Sequence, residues 1–415
     1  MKLVELSIFE FDDFASKHPL GSYHQTSNYA LFASEEGYDY DLLGMIDNDN
    51  QLVAASLIIY KKIGFFNRYG YAPKGFLLDY FNPTIIKEFV QLLKKRYYGK
   101  NFSFIKINPE ISIGKIDFKN KEIKYNENKM IEATLEGLGF KKLKNNKLFE
   151  AKFPKYNVIL PLKGISVDSF DKRTRNKIRK SLKKGLEFEI GDRESIDILF
   201  NFVKYKKRHK INHYYNYYNA FSKSNSIDIF LVKMNFEESL VKTREFYEEE
   251  AYINSQIVDE VMKNPTPENL KRKMESDKNL DSIRDEITDI TRRLSDKKEE
   301  YIAGAITIRY NNRVYILISG FDQHYKKYNP NYFLHYNIIE YYKNDFEFID
   351  LNGITGDFTD ENPYKGLNEF KMGFNPIGTE YIGEFDYIIN EGLYQNIENN
   401  GALVKEFQRV GKKKK

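Results

Sequence analysis

The apolar and polar positions in the first 150 residues alternate between strand-like and helix-like stretches. Gln51–Tyr60 is rich in aliphatic residues, which is typical of a buried strand. Pro83–Tyr98 follows with apolar residues at helical spacing, and Phe102–Ile107 is a second strand-like run that ends at Asn108-Pro109. Strands and helices that alternate at this length predict a layered α/β domain.

The same alternation returns after Phe153 and again after residue 300. The pattern predicts strands at 157–162, 186–190, 301–310, 313–319 and 346–351, and helices at 173–184, 195–210 and 330–343. A second α/β domain is therefore predicted, and 415 residues are enough for two compact cores.

Residues 236–299 interrupt this second domain with a charged, glycine-free stretch. Its second half has apolar residues alternately three and four positions apart, which predicts a helical seam: Leu280, Ile283, Ile287, Ile290 and Leu294. The seam predicted for the first half is Leu240, Phe246 or Tyr247, Ile253, Ile257 and Val261. Between the halves, Thr266 is a candidate N-cap and Pro267 a candidate first helical residue. Two helices of roughly 27 residues would form an antiparallel coiled-coil hairpin about 40 Å long.

Composition excludes several classes of protein. The chain has no Cys, so disulfides, thiolate zinc sites and cysteine nucleophiles are excluded. The start lacks a signal-peptide pattern, and no apolar run approaches the roughly 18 residues that span a bilayer. We therefore expect a cytoplasmic protein.

Charge is nearly balanced overall but uneven along the chain. The 65 Lys and Arg exceed the 60 Asp and Glu by only five, which does not demand a nucleic-acid partner. Segment 172–184, however, holds eight basic and no acidic residues, and Lys412–Lys415 is a second cluster. Such clusters attract the phosphates of tRNA, of a nucleotide-linked substrate or of a membrane, although a solvated helix face explains them too. The candidate phosphate-binding residues are Arg173, Arg175, Lys177, Arg179 and Lys180.

Cofactor motifs are missing. There is no HExxH spacing, P-loop or GxGxxG, and His324 and His335 are isolated in the sequence. We predict neither a metal nor an organic cofactor.

A series of segments, in their order along the chain, resembles the FemABX family of aminoacyl-tRNA-dependent peptidyltransferases. The matching segments are 71–75 (YAPKG), 107–110 (INPE), 172–180 (KRTRNKIRK), 331–340 (NYFLHYNIIE), 351–358 (LNGITGDF), 366–374 (GLNEFKMGF) and 381–386 (YIGEFD). The helical arm 236–299 marks the FemA-like branch of that family.

The resemblance implies an α/β (α+β) fold of two tandem GNAT-like domains, the fold of the acyl-CoA N-acyltransferases. The first domain would comprise 1–150 and 381–415, because the C-terminus returns to it, and the second 151–380. The arm is inserted in the second domain.

The implied reaction moves an amino acid from aminoacyl-tRNA to an amine of a peptidoglycan precursor, which builds the interpeptide bridge. The precursor is lipid-linked or nucleotide-linked, and the FemA-like branch acts at the inner face of the plasma membrane. The resemblance also leaves open peripheral membrane contact and a homodimer or heterodimer with a related transferase.

The resemblance assigns roles to individual residues. Lys371 would stabilise negative charge during transfer, Phe370 before it would contact the substrate, and Glu384 would position Lys371. Tyr217 and Tyr315 would line the precursor groove.

Three positions depart from the family pattern. Its substrate-binding Arg falls at His213, the Asp of its Asp-Pro pair at Asn108, and an early Lys near Ala33–Ser34. The amide of Asn108 cannot take a proton, so the base is left to the substrate or to water.

Two further candidates are less specific. Lys74 could reach a phosphate, and Asp357 either orients a turn or lines the groove.

Two other functions remain open at this point. One is an acyl-CoA-dependent N-acyltransferase, against which the missing Gly-rich pyrophosphate loop argues. The other is a non-catalytic relative that binds the wall precursor.

Overall fold

Two β-sheets organise the chain. The computed structural model describes residues 1–143, 147–148, 152–206 and 209–407. Within them the first sheet has seven strands in the order β1 (Lys2–Glu5), β2 (Asp39–Ile46), β3 (Leu52–Ile63), β4 (Asn67–Ala72), β5 (Phe102–Ile107), β16 (Phe385–Ile388) and β8 (Phe140–Lys142). The second has nine in the order β10 (Leu186–Gly191), β11 (Ile227–Asn235), β12 (Glu299–Tyr310), β13 (Arg313–Phe321), β14 (Phe348–Ile354), β9 (Tyr156–Pro161), β15 (Ile377–Tyr381), β6 (Ser112–Asp117) and β7 (Glu122–Tyr125).

Helices pack on both sheets, and several of them begin at a residue whose side chain caps the helix. Asn82 caps the helix that begins at Pro83, and Asp171 caps the basic helix after it. The helices are α1 (Ile8–Lys17), α2 (Ser27–Glu35), α3 (Pro83–Tyr97), α4 (Met130–Gly137), α5 (Lys172–Leu182), α6 (Ser195–Val203), α7 (Ile211–Ser222), α8 (Phe236–Lys263), α9 (Pro267–Asp296), α10 (Pro330–Tyr342), α11 (Lys365–Met372), α12 (Glu391–Asn399) and α13 (Ala402–Glu406).

The two sheets repeat one arrangement. Each has a run of antiparallel strands followed by a parallel pair, β4 with β5 and β13 with β14. A helix connects the strands of each parallel pair, α3 in the first sheet and α10 in the second. Since parallel neighbours need a crossover connection, each half is a β-α-β unit added to an antiparallel meander.

Some elements differ from the sequence prediction. Strands β6 and β7, which fall in the range predicted for the first domain, belong to the second sheet, because β6 pairs with β15 and β7 pairs with β6. The helix predicted over 195–210 ends as an α-helix at Val203, because the following residues are mostly charged and offer no apolar face. Strand β11 and helix α7 had not been predicted. The boundary at residues 150 and 151 and the cluster Lys412–Lys415 lie outside the described residues, and the domain division stays a prediction.

The arm consists of the two long helices that the sequence predicts. Ile283 and Ile290 are buried, as expected for seam positions, but Ile253 is 46% exposed and its place in the seam was wrong. Its neighbour Asn254 faces α9 instead and donates a hydrogen bond to Asp277 at 2.8 Å. The middle of the hairpin is therefore joined by polar contacts rather than by an apolar stripe.

The halves share a core. Helix α2 of the first half packs against α7 of the second, and the Phe32 and Tyr217 rings stack there with centroids 3.7 Å apart. Tyr23 meets Tyr315 edge-on at 4.8 Å. This shared aromatic core fixes the sheets relative to each other and underlies the site described next.

Among the described residues no helix is long and apolar enough to cross a bilayer. The same residues contain no group of three His, Asp or Glu side chains placed to hold a metal ion.

Candidate functional site

A groove of about 300 Å³ lies between the two halves. It brings together four of the residues singled out from the sequence, Lys74, His213, Tyr217 and Tyr315, with several that were not. Hereafter "the groove" means the cavity lined by His24, Lys74, Glu110, Asn157, His213, Tyr217, Tyr315, Asp350 and Asn352.

Lys74 supplies a cation to the groove. Its backbone has φ +56°, and its N–H donates to the Asn108 side-chain oxygen at 2.9 Å. The Lys74 Nζ lies 3.4 Å from Glu110 and over the ring of Phe153. Asn108 is thus the support of the Lys74 loop rather than a lining residue.

Helix α7 presents Tyr217 and His213 to the groove. Tyr217 is buried, and burial raises the pKa of its hydroxyl well above the ordinary value. His213 Nδ1 lies 3.0 Å from the carboxylate of Glu36. Burial acts to raise the pKa of Glu36, but hydrogen bonds from His213 and Asn216 outweigh it and leave that pKa lowered.

The floor of the groove carries a buried carboxyl. Asp350 accepts two hydrogen bonds from the Asn157 side-chain amide at 2.8 and 3.0 Å, and a third from the Asn352 N–H at 2.7 Å. Burial raises the pKa of Asp350, against the charge of Arg313. Arg313 also lies 3.2 Å from Glu110, so the charges of the groove are mutually paired.

Besides His213 Nδ1, which faces the Glu36 carboxylate at 3.0 Å, two buried atoms of the groove lack hydrogen-bond partners within the described part of the chain. They are His24 Nε2 and Asn157 Oδ1. Burial, and then the charge of Lys74, lower the pKa of His24 well below its ordinary value, so the ring is neutral at pH 7. In the tautomer whose Nδ1–H donates to the Ser22 hydroxyl oxygen at 3.4 Å, Nε2 is the acceptor nitrogen. Buried polar atoms are normally satisfied, so both are places where a water molecule or a ligand donates a hydrogen bond.

Sequence reasoning missed His24 and Asn157. A lone His or Asn has no spacing signature. The signal available for Asn157 was its position as a polar residue at the start of an otherwise apolar predicted strand.

Helix α11 lies beside the groove and carries the Phe370-Lys371 pair. Lys371 Nζ donates to the Gly353 carbonyl at 2.6 Å, next to the lining residue Asn352. A side chain at Gly353 would collide with Pro154, which also lines the groove. Lys371 is thus held behind the part of the groove wall that Asn352 and Pro154 form, and its role in transfer stays a prediction.

Phe370 points away from Lys371 into a second cavity of about 880 Å³. Its ring meets Tyr332 and His335 edge-on, each at 4.9 Å. We call this cavity the basic cavity; its lining includes Arg173, Lys177, His324, Lys326, Lys327, Tyr332, Glu369 and Phe370.

The basic helix α5 divides its charges between two faces. Lys177 donates to the Tyr332 hydroxyl at 3.0 Å, and Arg173, paired with Glu369 at 3.4 Å, lines the basic cavity as well. Arg175 and Arg179 instead pair with Asp168, at 3.8 and 2.8 Å. Lys180 is exposed. Of the five predicted phosphate ligands, the structure brings two to the basic cavity.

Two predicted site residues lie elsewhere. Glu384 is buried, 3.8 Å from Lys106. It accepts a hydrogen bond at 3.3 Å from the backbone N–H of Lys152, a residue that lines the groove, and so contacts the groove only indirectly. Asp357 accepts from the Thr359 N–H and hydroxyl. Those bonds lower the pKa of Asp357 and fix its own turn, the first of the two roles foreseen for it.

Known proteins resemble this chain over nearly its whole length. The sequence profile of the FemAB family matches residues 6–399. The chain belongs to the FemAB family. This FemAB protein is 23% identical over 409 residues to a lipid II:glycine glycyltransferase of Staphylococcus epidermidis, covering 96% of this chain and 95% of the relative. It is 24% identical over 419 residues to a protein of the same name from Staphylococcus aureus, with the same coverage.

The crystal structure of FemX shares the fold of this FemAB protein. The TM-score is 0.72 at 22% identity, covering 96% of this chain and all of FemX. The family predicted from the sequence is confirmed, and so is the fold class, an α/β chain with two sheets. The coiled-coil character of the arm stays a prediction.

Proposed function

We propose that this FemAB protein transfers an amino acid from aminoacyl-tRNA to an amine of a lipid-linked peptidoglycan precursor and so builds the interpeptide bridge. The observation that carries the proposal is the pair of unsatisfied acceptors, His24 Nε2 and Asn157 Oδ1, in a groove with Lys371 beside it. An amine is the donor that such acceptors bind. The names of the relatives, which act on lipid II, support the choice of acceptor.

The groove has the groups that aminolysis of an ester needs. Asn157 and Asp350 orient the amine, whose nitrogen attacks the aminoacyl carbonyl carbon. The new C–N bond forms as the ester C–O bond breaks, and Lys371 stabilises the negative charge on the carbonyl oxygen. His24 Nε2 takes the proton that the amine loses and returns it to the departing ribose oxygen.

His24 can act as the general base, a role that Asn108 cannot take. A neutral imidazole can accept a proton, whereas the Asn108 amide cannot, and its oxygen already accepts from the Lys74 N–H and the Tyr71 hydroxyl. The lowered pKa keeps His24 unprotonated, and therefore usable as a base, well into the acid range.

The basic cavity is proposed to hold the phosphates of the donor tRNA. Arg173, Lys177, Lys326 and Lys327 give it positive charge, and Tyr332 and Phe370 offer rings on which an unpaired base can stack. The Phe370-Lys371 pair connects the two sites, because Phe370 lines the basic cavity and Lys371 donates to the Gly353 carbonyl, next to the groove residue Asn352. The acceptor would thus occupy the groove and the donor the basic cavity.

Transfer of labelled amino acids from a total aminoacyl-tRNA pool tests the proposal. The acceptors are vesicle-embedded lipid-linked precursor, with and without a first bridge residue, and the nucleotide-linked precursor. Incorporation that ribonuclease abolishes is the expected result, and the labelled product names the amino acid. Transfer from an acyl-CoA, or precursor binding without any incorporation, would overturn it.

A further inference from the structure

Two consecutive phenylalanines occupy the tip of the hairpin between β3 and β4. Phe65 and Phe66 are 93% and 82% exposed, in a loop between the paired residues Ile63 and Asn67. Short hairpin loops favour Gly, Asn and Asp, so the turn itself does not require aromatic residues. Leaving two adjacent rings in water costs free energy that contact with an apolar phase would recover.

Basic side chains surround this tip. Lys62 precedes the tip and is exposed. After the tip, the Arg68 N–H donates to the Asn101 carbonyl at 2.7 Å, and this bond holds the turn that follows α3 next to the hairpin. That turn adds further exposed aromatic and basic residues. We call the whole the hairpin-end surface: Lys62, Phe65, Phe66, Arg68, Tyr98 and Lys100.

Nearby acidic side chains are engaged with their own partners. Glu406 pairs with Lys61 at 2.8 Å, and Asp41 lies 3.4 Å from Arg96. Helix α13 begins beside the tip at Gly64. The hairpin-end surface itself contains three basic and no acidic side chains, so its own charge is positive.

We propose that the hairpin-end surface docks on an anionic lipid bilayer. Phe65 and Phe66 enter the boundary between headgroups and acyl chains, while Lys62, Arg68 and Lys100 contact the lipid phosphates. An aromatic tip with a basic rim is the arrangement that binds such interfaces, since apolar burial and attraction to anionic lipids add.

A nucleic acid fits this surface less well than a bilayer. Single strands are bound along a basic groove in which bases stack on aromatic rings. Here the two rings project from a hairpin tip, 6.5 Å apart and tilted by 40°, rather than line a groove.

The chain contains no Trp, so one substitution gives a site-specific fluorescent reporter. Phe66→Trp should shift to the blue on vesicles containing phosphatidylglycerol and be quenched by brominated lipid tails, without any substrate present. The matched control is Phe9→Trp, since Phe9 is 81% exposed on α1, away from this surface. Equal shifts for both reporters, or a shift for Phe66→Trp with tRNA and none with vesicles, would overturn the proposal.

Affinity gives a second readout. Phe65→Ser with Phe66→Ser should weaken binding to anionic vesicles by at least about tenfold, and vesicles of phosphatidylcholine alone should bind the unmodified protein about tenfold less than anionic ones. Phe9→Ser should leave binding unchanged. Retained vesicle binding by the double variant would contradict the proposal. Because vesicle binding is measured without turnover, the outcome is independent of the transfer reaction.

Discussion

The groove and the basic cavity differ in how their charges are satisfied. In the groove Lys74 and Arg313 share Glu110, Asp350 is held by Asn157, and the unsatisfied atoms are acceptors. The basic cavity instead collects cations near the surface. A site of paired, buried charges suits bond making, because its dipoles are already oriented, whereas loosely held cations suit the capture of a polyanion.

The largest expected effect comes from Lys371, which lies next to the groove. Lys371→Met should lower the transfer rate by about 10² to 10³-fold, because it removes the charge that stabilises the carbonyl oxygen in the transition state. Lys365→Met on the same helix is the control, since Lys365 pairs with Asp360 at the surface. Single-turnover rates with saturating tRNA measure the effect. A loss smaller than about threefold, with thermal unfolding unchanged, would contradict this role of Lys371.

The second-largest expected effect concerns His24, the proposed proton acceptor of the groove. His24→Gln should slow transfer by about 10²-fold near neutral pH, because no other group takes the amine proton as readily. With the unmodified protein the rate should fall as the pH drops through the lowered pKa of His24, and the variant should lose that dependence. His18→Gln is the control, because burial lowers the pKa of His18 too, outside the groove. A pH profile that His24→Gln leaves unchanged would exclude His24 as the base.

A substitution in the basic cavity should weaken the binding of aminoacyl-tRNA and leave the chemical step unchanged. Lys177→Ala should raise KM for aminoacyl-tRNA by up to about tenfold and reduce the slope of log affinity against log salt by about 0.7, as loss of one phosphate contact does. Arg179→Ala on the same helix, whose partner is Asp168 outside the cavity, should do neither. Titrations at several salt concentrations distinguish the two. A fall in kcat at unchanged KM would assign Lys177 to the chemistry instead.

The smallest expected effect is on stability. His24 is neutral in the folded chain, whereas in the unfolded chain it takes up a proton once the pH falls below about 6.5. The unfolded state then binds more protons, so stability decreases as the pH falls, by at most about 1.4 kcal/mol per pH unit from this group. Urea unfolding at pH 7.5 and 5.5 should show a smaller decrease for His24→Gln. Identical decreases would mean that His24 is protonated in the folded protein.

Much of the fold was predictable because the local pattern of apolar and polar residues determines many of its strands and helices. Phe102–Ile107 is buried along its whole length, as its apolar run between breakers indicates. The turn at Thr266-Pro267 is present with the side-chain cap expected. Strand β11 was missed although it is 9 residues long. Strand β16 joins the first sheet more than 240 residues after β8, so no local signal marks its partners.

The site was predictable only in part. The groove contains His213, Tyr217 and Tyr315, which the family resemblance singled out, and Lys74, a less specific candidate. His24 and Asn157 could not be found in this way, because their significance is the lack of a partner, and that is a property of the folded chain. Asp350, a carboxyl in a mostly apolar strand, was a second sequence signal for the groove, besides Asn157, that went unused.

The position of the last strands also bears on synthesis at the ribosome. β16 lies between β5 and β8, and β15 joins β9 to β6, so residues 377–388 complete both sheets. Neither half can close its sheet while the chain is still being made, although nascent domains generally fold one after the other from the N-terminus. The two halves must mature together after the final residues emerge, and a nascent chain halted before residue 377 would leave strand edges of both sheets open to aggregation.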